Sequence, residues 1–100
     1  MDKYKVKLLA RANRDLDEIY DYIVEEFKEI ETAERLADSL EAAILSLDEM
    51  PYRGAVRRVG SYANKGYRQL FVKNFTILYR IDEKRKTVIV VTVRYTPSNF

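Results

Sequence analysis

Residues 67–95 read YRQLFVKNFTILYRIDEKRKTVIVVTVRY, and this stretch decides the fold. It contains three runs of β-branched and aromatic residues, which are the residue types that strands favour. Lys73 and Asn74 separate the first two runs, and the charged segment DEKRK at 82–86 separates the last two, as tight turns do. The stretch therefore predicts an antiparallel meander with strands over 67–73, 75–81 and 87–95.

The part of the chain before residue 50 predicts one strand and two helices. Residues 4–9 alternate in part between apolar and basic side chains and suit a short strand. Two series of apolar residues then recur at helical spacing, with acidic residues on the opposite face. The first series is Ala12, Leu16, Ile19, Tyr20, Ile23 and Phe27, and the second is Ala33, Leu36, Ala37, Leu40, Ile44 and Leu47. Thr32 is the expected N-cap of the second helix, and the short connection predicts an antiparallel helical hairpin.

The order of these elements, β-α-α-β-β-β, indicates an α+β fold in which an antiparallel sheet carries the helical hairpin on one face. A length of 100 residues is close to the commonest domain size, so we expect a single domain over 1–100. The run at 87–95 is nearly all Val and Ile, as expected of a strand buried on both faces at mid-sheet. The expected core includes Leu16, Ile23, Leu36, Leu40, Ile77, Val91 and Val93.

Alternation along the strand 75–81 assigns its side chains to the two faces of the sheet. The strongly apolar set is expected to face the helices and consists of Phe75, Ile77, Tyr79 and Ile81. Thr76, Leu78 and Arg80 then point to the open face. By the same alternation, Arg68 and Arg94 are expected to join Arg80 there. The pattern predicts an open sheet face that carries three arginines.

Charge is divided unevenly between the two halves of the chain. Residues 1–50 contain 7 Lys+Arg and 14 Asp+Glu, a net charge of −7, whereas residues 51–100 contain 11 and 2, a net charge of +9. The overall charge of +2 hides this division. Such an asymmetry indicates a polyanion or an acidic protein as the partner of the second half.

One long loop connects the two halves and adds further cations to the basic half. Pro51, Gly54, Gly60 and Gly66 mark it, because these residue types interrupt regular structure. Loops carry a large share of functional residues. The loop and the open face together predict a target-binding surface made of Arg53, Arg57, Arg58, Lys65, Arg68, Arg80 and Arg94.

The sequence contains no His and no Cys, which excludes imidazole chemistry, thiolate chemistry and a zinc site of the His/Cys type. The helical carboxylates show no spacing typical of a metal site, so we expect no metal, no cofactor and no small-molecule substrate. No apolar stretch approaches the roughly 20 residues that cross a bilayer, and no signal-peptide pattern is present. We therefore expect a cytoplasmic protein that does not act at a membrane.

Several segments, taken in order, resemble the RelE/ParE superfamily of bacterial toxins. These segments are DLDEIYDYI, LSLDEMPYRG, KGYRQLFVKNFTILYRIDE and VIVVTVRY, and the resemblance extends over essentially the whole chain. The strongest likeness lies in GYR at 66–68, NF at 74–75 and ILYRID at 77–82. The order β-α-α-β-β-β is similar as well, so the likeness is specific in order and spacing.

The resemblance implies the toxin of a type II toxin–antitoxin module, with a labile antitoxin as its tightly bound partner. Two modes of action occur in the superfamily. RelE-like members cut messenger RNA in the ribosomal A site, whereas ParE-like members poison DNA gyrase and are not nucleases. The expected partners are therefore a cognate antitoxin and either DNA gyrase or the translating ribosome with its mRNA.

Metal-free RNA cleavage needs a positioning base, cations for the charged transition state and a proton donor for the leaving oxygen. By resemblance, Arg68, Arg94 and Tyr95 stand near positions where RelE-like members carry such residues. However, Thr76 occupies the strand position where RNA-cleaving members usually have Arg. Thr and Pro at 96–97 likewise stand where an Arg, His or Tyr is expected.

These departures favour the ParE-like interpretation, which needs no catalytic set. A ribosome-dependent endoribonuclease is the alternative, with Tyr95 as proton donor and Arg80 in the role of the missing arginine. A decayed, non-toxic binding module is a second alternative, since the ending TPSNF is short and has no charged side chain. Whether the protein is an enzyme therefore depends on which target it acts on.

Overall fold

The element order predicted from the sequence is present in a computed structural model of the protein, which describes residues 3–95 apart from the side chain of Phe27. The helices are α1 (Ala10–Phe27) and α2 (Ile30–Leu45), followed by a 3-10 turn at Ser46–Asp48. The strands are β1 (Lys5–Leu8), β2 (Ala55–Val56), β3 (Arg68–Val72), β4 (Phe75–Asp82) and β5 (Thr87–Tyr95). The α+β fold is confirmed, and the two-residue strand β2 is an addition to it.

The five strands form one sheet in the order β1-β5-β4-β3-β2. The strands β3, β4 and β5 form the predicted antiparallel meander, and β5 lies between β4 and β1, as expected of the most apolar strand. β1 pairs with β5 in parallel, with Lys5 opposite Thr87, so the sheet is mixed where an antiparallel sheet was expected. The helical hairpin accounts for this direction, because it brings the chain back to the start of β1, where the Tyr4 N–H donates to the Asp48 carbonyl at 2.8 Å. After two further reversals in the meander, β5 runs in the same direction as β1.

Both helices cover one face of the sheet, and the core lies between them and the strands. Six of the seven predicted core residues are buried, and Leu16 is only partly buried at the margin of the core. The six are Ile23, Leu36, Leu40, Ile77, Val91 and Val93. Within residues 3–95, no helix is long and apolar enough to cross a membrane.

The second helix begins earlier than the sequence predicts. Its N-cap is Glu29, so the expected cap, Thr32, lies inside the first turn and donates its hydroxyl proton to the Glu29 carboxylate at 2.7 Å. Lys28 ends α1 in a left-handed conformation with φ of 51° and reverses the chain at once. The turn between the helices consists of Lys28 and Glu29 alone, so the cap lies three residues before Thr32.

Candidate target-binding surface

The register of the meander decides which arginines share a face of the sheet, because directly opposed residues point the same way. Arg94 of β5 lies opposite Thr76 of β4, and Thr76 lies opposite Phe71 of β3. Phe75, next to Thr76, belongs to the helix-facing core. The row of Arg94, Thr76 and Phe71 therefore lies on the face away from the helices, and the exposed Arg80 lies on the same face further along β4.

Arg68 lies on the other face, which corrects the expected placement beside Arg80 and Arg94. It is paired with Tyr79, whose ring is completely buried in the core beneath the helices. The physical reason is parity along β3, since Arg68 alternates in step with Leu70 and Val72, which pack against the core.

The guanidinium of Arg68 binds the loop that precedes β2. Its Nη1 donates to the carbonyl oxygen of Gly54 at 2.6 Å and to that of Tyr52 at 3.4 Å. The guanidinium also lies over the Tyr52 ring, 4.9 Å from the centroid, at a distance where a cation is attracted to the ring face. Arg68 therefore holds the main chain at the start of the basic loop.

Tyr79 holds the same loop from inside the core. Its hydroxyl accepts a hydrogen bond from the Gly54 backbone nitrogen at 2.9 Å and donates one to the Pro51 carbonyl at 2.8 Å. Burial raises the pKa of Tyr79 above its ordinary value of 10.0, which keeps the phenol protonated and able to donate. A Cβ at Gly54 would lie 2.6 Å from both the Gln69 carbonyl oxygen and the Tyr79 hydroxyl, so only glycine fits here.

The other predicted target-binding residues divide by exposure. Arg57 is only 7% exposed, and its guanidinium donates to the carbonyl of Ser61 and the side chain of Gln69. The loop has three further cations, all of them exposed: Arg53, Arg58 and Lys65. Arg53 also donates to the Ser46 hydroxyl at 2.6 Å. Their roles in target binding stay predictions.

Arg94 is held by a chain of hydrogen bonds that the sequence did not reveal. Its Nε donates to the hydroxyl oxygen of Thr92 at 3.2 Å, and the buried Thr92 hydroxyl in turn donates to the carboxylate of Asp15 in α1. The same carboxylate accepts the Val93 N–H at 3.2 Å. Pairing with β1 ends at Val90, so the Asp15 carboxylate takes the place of a strand partner for the Val93 N–H beyond that point. In the sequence, Asp15 looked like one more acid on a solvated helix face.

Tyr95, the third residue of the possible cleavage site, is half exposed at the end of β5. Its ring packs against Phe75, with 5.6 Å between centroids. Arg94 and Tyr95 are adjacent, but Arg68 points to the opposite face and is engaged with main-chain carbonyls. The structure therefore does not bring the three predicted catalytic side chains together. Residues 96–97, which stand where an Arg, His or Tyr is expected in RNA-cleaving members, lie outside the described residues.

An open groove of about 980 Å³ lies between the helices and the end of β5. It includes the edge of β5 that β1 leaves unpaired beyond Val90, and Arg94 of the outer face lines it there. Its apolar lining includes Ile19, Ile23, Leu36, Phe75 and Val93. Its charged lining consists of three cations, Arg35, Lys73 and Arg94, and two carboxylates, Asp15 and Glu18. The groove is therefore an apolar surface with mixed charge at its border.

Comparison with known structures supports the fold. A chain of the chromosomal ParDE TA system from P. aeruginosa is 22% identical, with a TM-score of 0.76, covering 95% of this chain and 98% of that one. A chain of the RelBE2 toxin–antitoxin complex from Mycobacterium tuberculosis is 24% identical, with a TM-score of 0.64, covering 95% and 93%. A mutant of the E. coli toxin RelE in the free state is 11% identical, with a TM-score of 0.61, covering 93% and 83%.

Comparison at the sequence level gives the family. No curated protein matches the chain significantly. The family model described as the ParE toxin of the type II toxin–antitoxin system parDE matches residues 6–100, which is nearly the whole sequence. The chain belongs to the ParE toxin family of type II toxin–antitoxin systems.

Proposed function

We propose that this protein arrests growth by a ParE-like, non-catalytic inhibition of DNA gyrase, and that a cognate antitoxin neutralises it. The observation that carries the proposal is the separation of Arg68 from Arg94. These two arginines point to opposite faces of the sheet, and Arg68 is bound to the carbonyls of Gly54 and Tyr52.

The alternative, RNA cleavage, requires several groups around one phosphate. Removing one preorganised donor from a developing oxyanion typically lowers the rate by about 10²–10³-fold. Thr76 lies where RNA-cleaving relatives usually have Arg, and it is buried opposite Arg94. With Arg68 on the other face as well, a cleavage site here would lack two cations. A binding surface for gyrase requires no such convergence, which favours the non-catalytic mode.

The proposed contact surface consists of the cations that reach solvent near the loop and the open face. These are Arg53, Arg58, Lys65, Arg80 and Arg94. Arg57 and Arg68 act on target binding through the loop that they hold. Cationic surfaces of this kind attract acidic partners and lose affinity as the salt concentration rises.

We propose that an amphipathic, acidic segment of the antitoxin binds in the groove between the helices and the end of β5. The apolar lining offers surface for burial, and Arg35, Lys73 and Arg94 offer partners for carboxylates. Occupation of the groove would also engage Arg94, so antitoxin binding and target binding would compete for one residue.

Induced expression in cells that lack the antitoxin tests the proposed target. We expect growth arrest with relaxed plasmid DNA and a DNA-damage response, while messenger RNA stays intact. New 5′ ends at ribosomal A-site positions with normal supercoiling would instead support the endoribonuclease. Normal growth with normal supercoiling would support a decayed binding module. Each of the three readings therefore has its own outcome.

A further inference from the structure

The buried side chain of Arg57 forms hydrogen bonds that hold the loop between β2 and β3. Within residues 3–95 no other charged side chain is buried. The Arg57 Nε donates to the Ser61 carbonyl at 2.9 Å, and its Nη1 donates to the Gln69 side-chain oxygen at 3.0 Å. A buried charge is unfavourable unless it is hydrogen-bonded. The fold therefore uses its buried cation to fix this loop.

The loop backbone also has a defined structure of its own. The carbonyl oxygen of Arg57 accepts the Asn64 N–H at 2.9 Å, and the Arg57 N–H donates to the Tyr67 carbonyl at 2.8 Å. The Tyr62 ring packs edge-on against Tyr67, with 5.1 Å between centroids. These contacts close the loop on itself.

Two residues other than glycine adopt left-handed backbone conformations in this loop. The φ angles are 69° at Tyr62 and 57° at Asn64, and the latter residue type tolerates such a value better than the former. Strained residues persist only where the surroundings enforce them, and they concentrate at functional sites. The loop is thus held in one shape at an energetic cost.

The tip of this loop presents an apolar side chain to solvent. Val59 is 81% exposed, more than any other large hydrophobic residue among those described, and it follows the exposed Arg58. Single exposed hydrophobic residues are common on protein surfaces. Val59 differs from such residues because its loop is fixed by the buried Arg57 and contains two residues in left-handed conformations.

We propose that Val59 is an anchor that inserts into an apolar pocket of the toxin's protein target, with Arg58 paired to an acidic group at the rim of that pocket. A preformed loop loses little conformational entropy on binding, which makes it an effective anchor. The identification of gyrase as the target rests on the proposed function. The presence of an anchor for a protein target does not.

The chemistry of the tip indicates a protein target with an acidic pocket rim. Valine has no flat face on which a nucleic-acid base can stack, whereas it fills a small apolar pocket well. No Asp or Glu lies between Met50 and Ile81, so nothing acidic in this stretch offsets Arg58 and Lys65. The pocket that receives Val59 should therefore have an apolar floor and carboxylates around it.

The variant Val59→Ser tests the anchor, with Ile30→Ser as its matched control. Ile30 is also an exposed β-branched residue, but it lies on α2 rather than in the loop. We expect Val59→Ser to weaken binding to purified gyrase by about tenfold or more, as truncation of an interface anchor does. Growth arrest on induction should weaken in parallel. Ile30→Ser should match the wild-type chain in both assays.

Unchanged gyrase binding and growth arrest in Val59→Ser would overturn the anchor. If the wild-type chain does not bind gyrase, the proposed function fails, but loss of growth arrest in Val59→Ser alone still supports an anchor for another protein. If the chain binds a DNA fragment without gyrase, and Val59→Ser binds both DNA and gyrase as well as the wild-type chain does, Val59 is not an anchor for a protein pocket and the proposal is wrong. Equal thermal midpoints of the variants exclude a folding defect.

Discussion

The hydroxyl of Tyr79 accepts the backbone N–H of Gly54 at 2.9 Å, and so a residue of the sheet core fixes the start of the basic loop. The same hydroxyl donates to the Pro51 carbonyl at 2.8 Å. Arg68 binds the Gly54 carbonyl, so both polar groups of the Gly54 main chain are held by the meander. The position of the loop cations is therefore linked to the packing of the core.

Tyr79→Phe tests this link at nearly constant volume. The variant leaves a buried N–H and a buried carbonyl without their partner, which typically costs about 1–3 kcal/mol of the free energy of unfolding. Denaturant titration measures this loss, and the growth assay reports whether the loop still reaches the target. An unchanged free energy of unfolding would contradict the role assigned to the hydroxyl.

Arg68→Ala distinguishes a residue that holds the loop from one that only contacts the target. We expect the free energy of unfolding to fall by about 1–2 kcal/mol, because the Gly54 carbonyl loses a charged donor. Arg80→Ala is the control, since Arg80 is exposed on the open face and its loss should change stability by less than about 0.5 kcal/mol. Equal stability of the two variants would mean that the contacts of Arg68 contribute little to the fold.

Asp15→Ala tests whether Asp15 positions Arg94 through Thr92. The variant removes the acceptor for the Val93 N–H and the Thr92 hydroxyl, so we expect about 1–3 kcal/mol lower stability and weaker target inhibition. Thr92→Val should weaken inhibition in the same direction, since it removes a hydroxyl to which the Arg94 Nε donates. Asp17→Ala, an exposed carboxylate on the same helix, is the control. Full inhibition by Asp15→Ala would show that Arg94 needs no such support.

The pH dependence of stability should include a contribution from Glu83 at the β4–β5 turn. Hydrogen bonds from Lys86 at 2.9 Å and Tyr4 at 2.8 Å hold the pKa of Glu83 below its ordinary value of 4.5, and Tyr52 donates to the same carboxylate. A lowered pKa means that this stabilisation is complete above pH 4.5 and is lost as pH falls through the folded-state pKa. Unfolding midpoints of Glu83→Gln, measured between pH 7 and 3, should fall less steeply than those of the wild-type chain. Parallel curves would contradict this.

Much of the fold was predictable because its signals are local. The alternation and composition of residues 67–95 predict all three meander strands, and β5 was predicted at the bounds the structure shows, Thr87–Tyr95. The placement of Arg68 was wrong because alternation does not decide it: one alternating set of residues 67–73 contains Tyr67 and Phe71, and the other contains Leu70 and Val72.

The contacts that shape the candidate site depend on tertiary structure and could not be predicted. Asp15 meets Thr92 only because β1 ends early and leaves an edge of β5 for α1 to cover. The burial of Arg57 likewise requires the loop to close around it, although its composition looks like that of a solvated basic loop. Asp15 and Thr92 are 77 positions apart in the sequence, and the contacts of Arg57 form only once the loop has closed, so no local pattern predicts them.

Inhibition of purified DNA gyrase is the most direct test of the account. Relaxed plasmid is incubated with gyrase, ATP and increasing amounts of the purified chain, and a translation reaction receives the same amounts. We predict loss of supercoiling while translation continues, with Arg94→Ala less inhibitory than the wild-type chain. Full supercoiling at toxin concentrations that stop translation would contradict the account and make the ribosome the target.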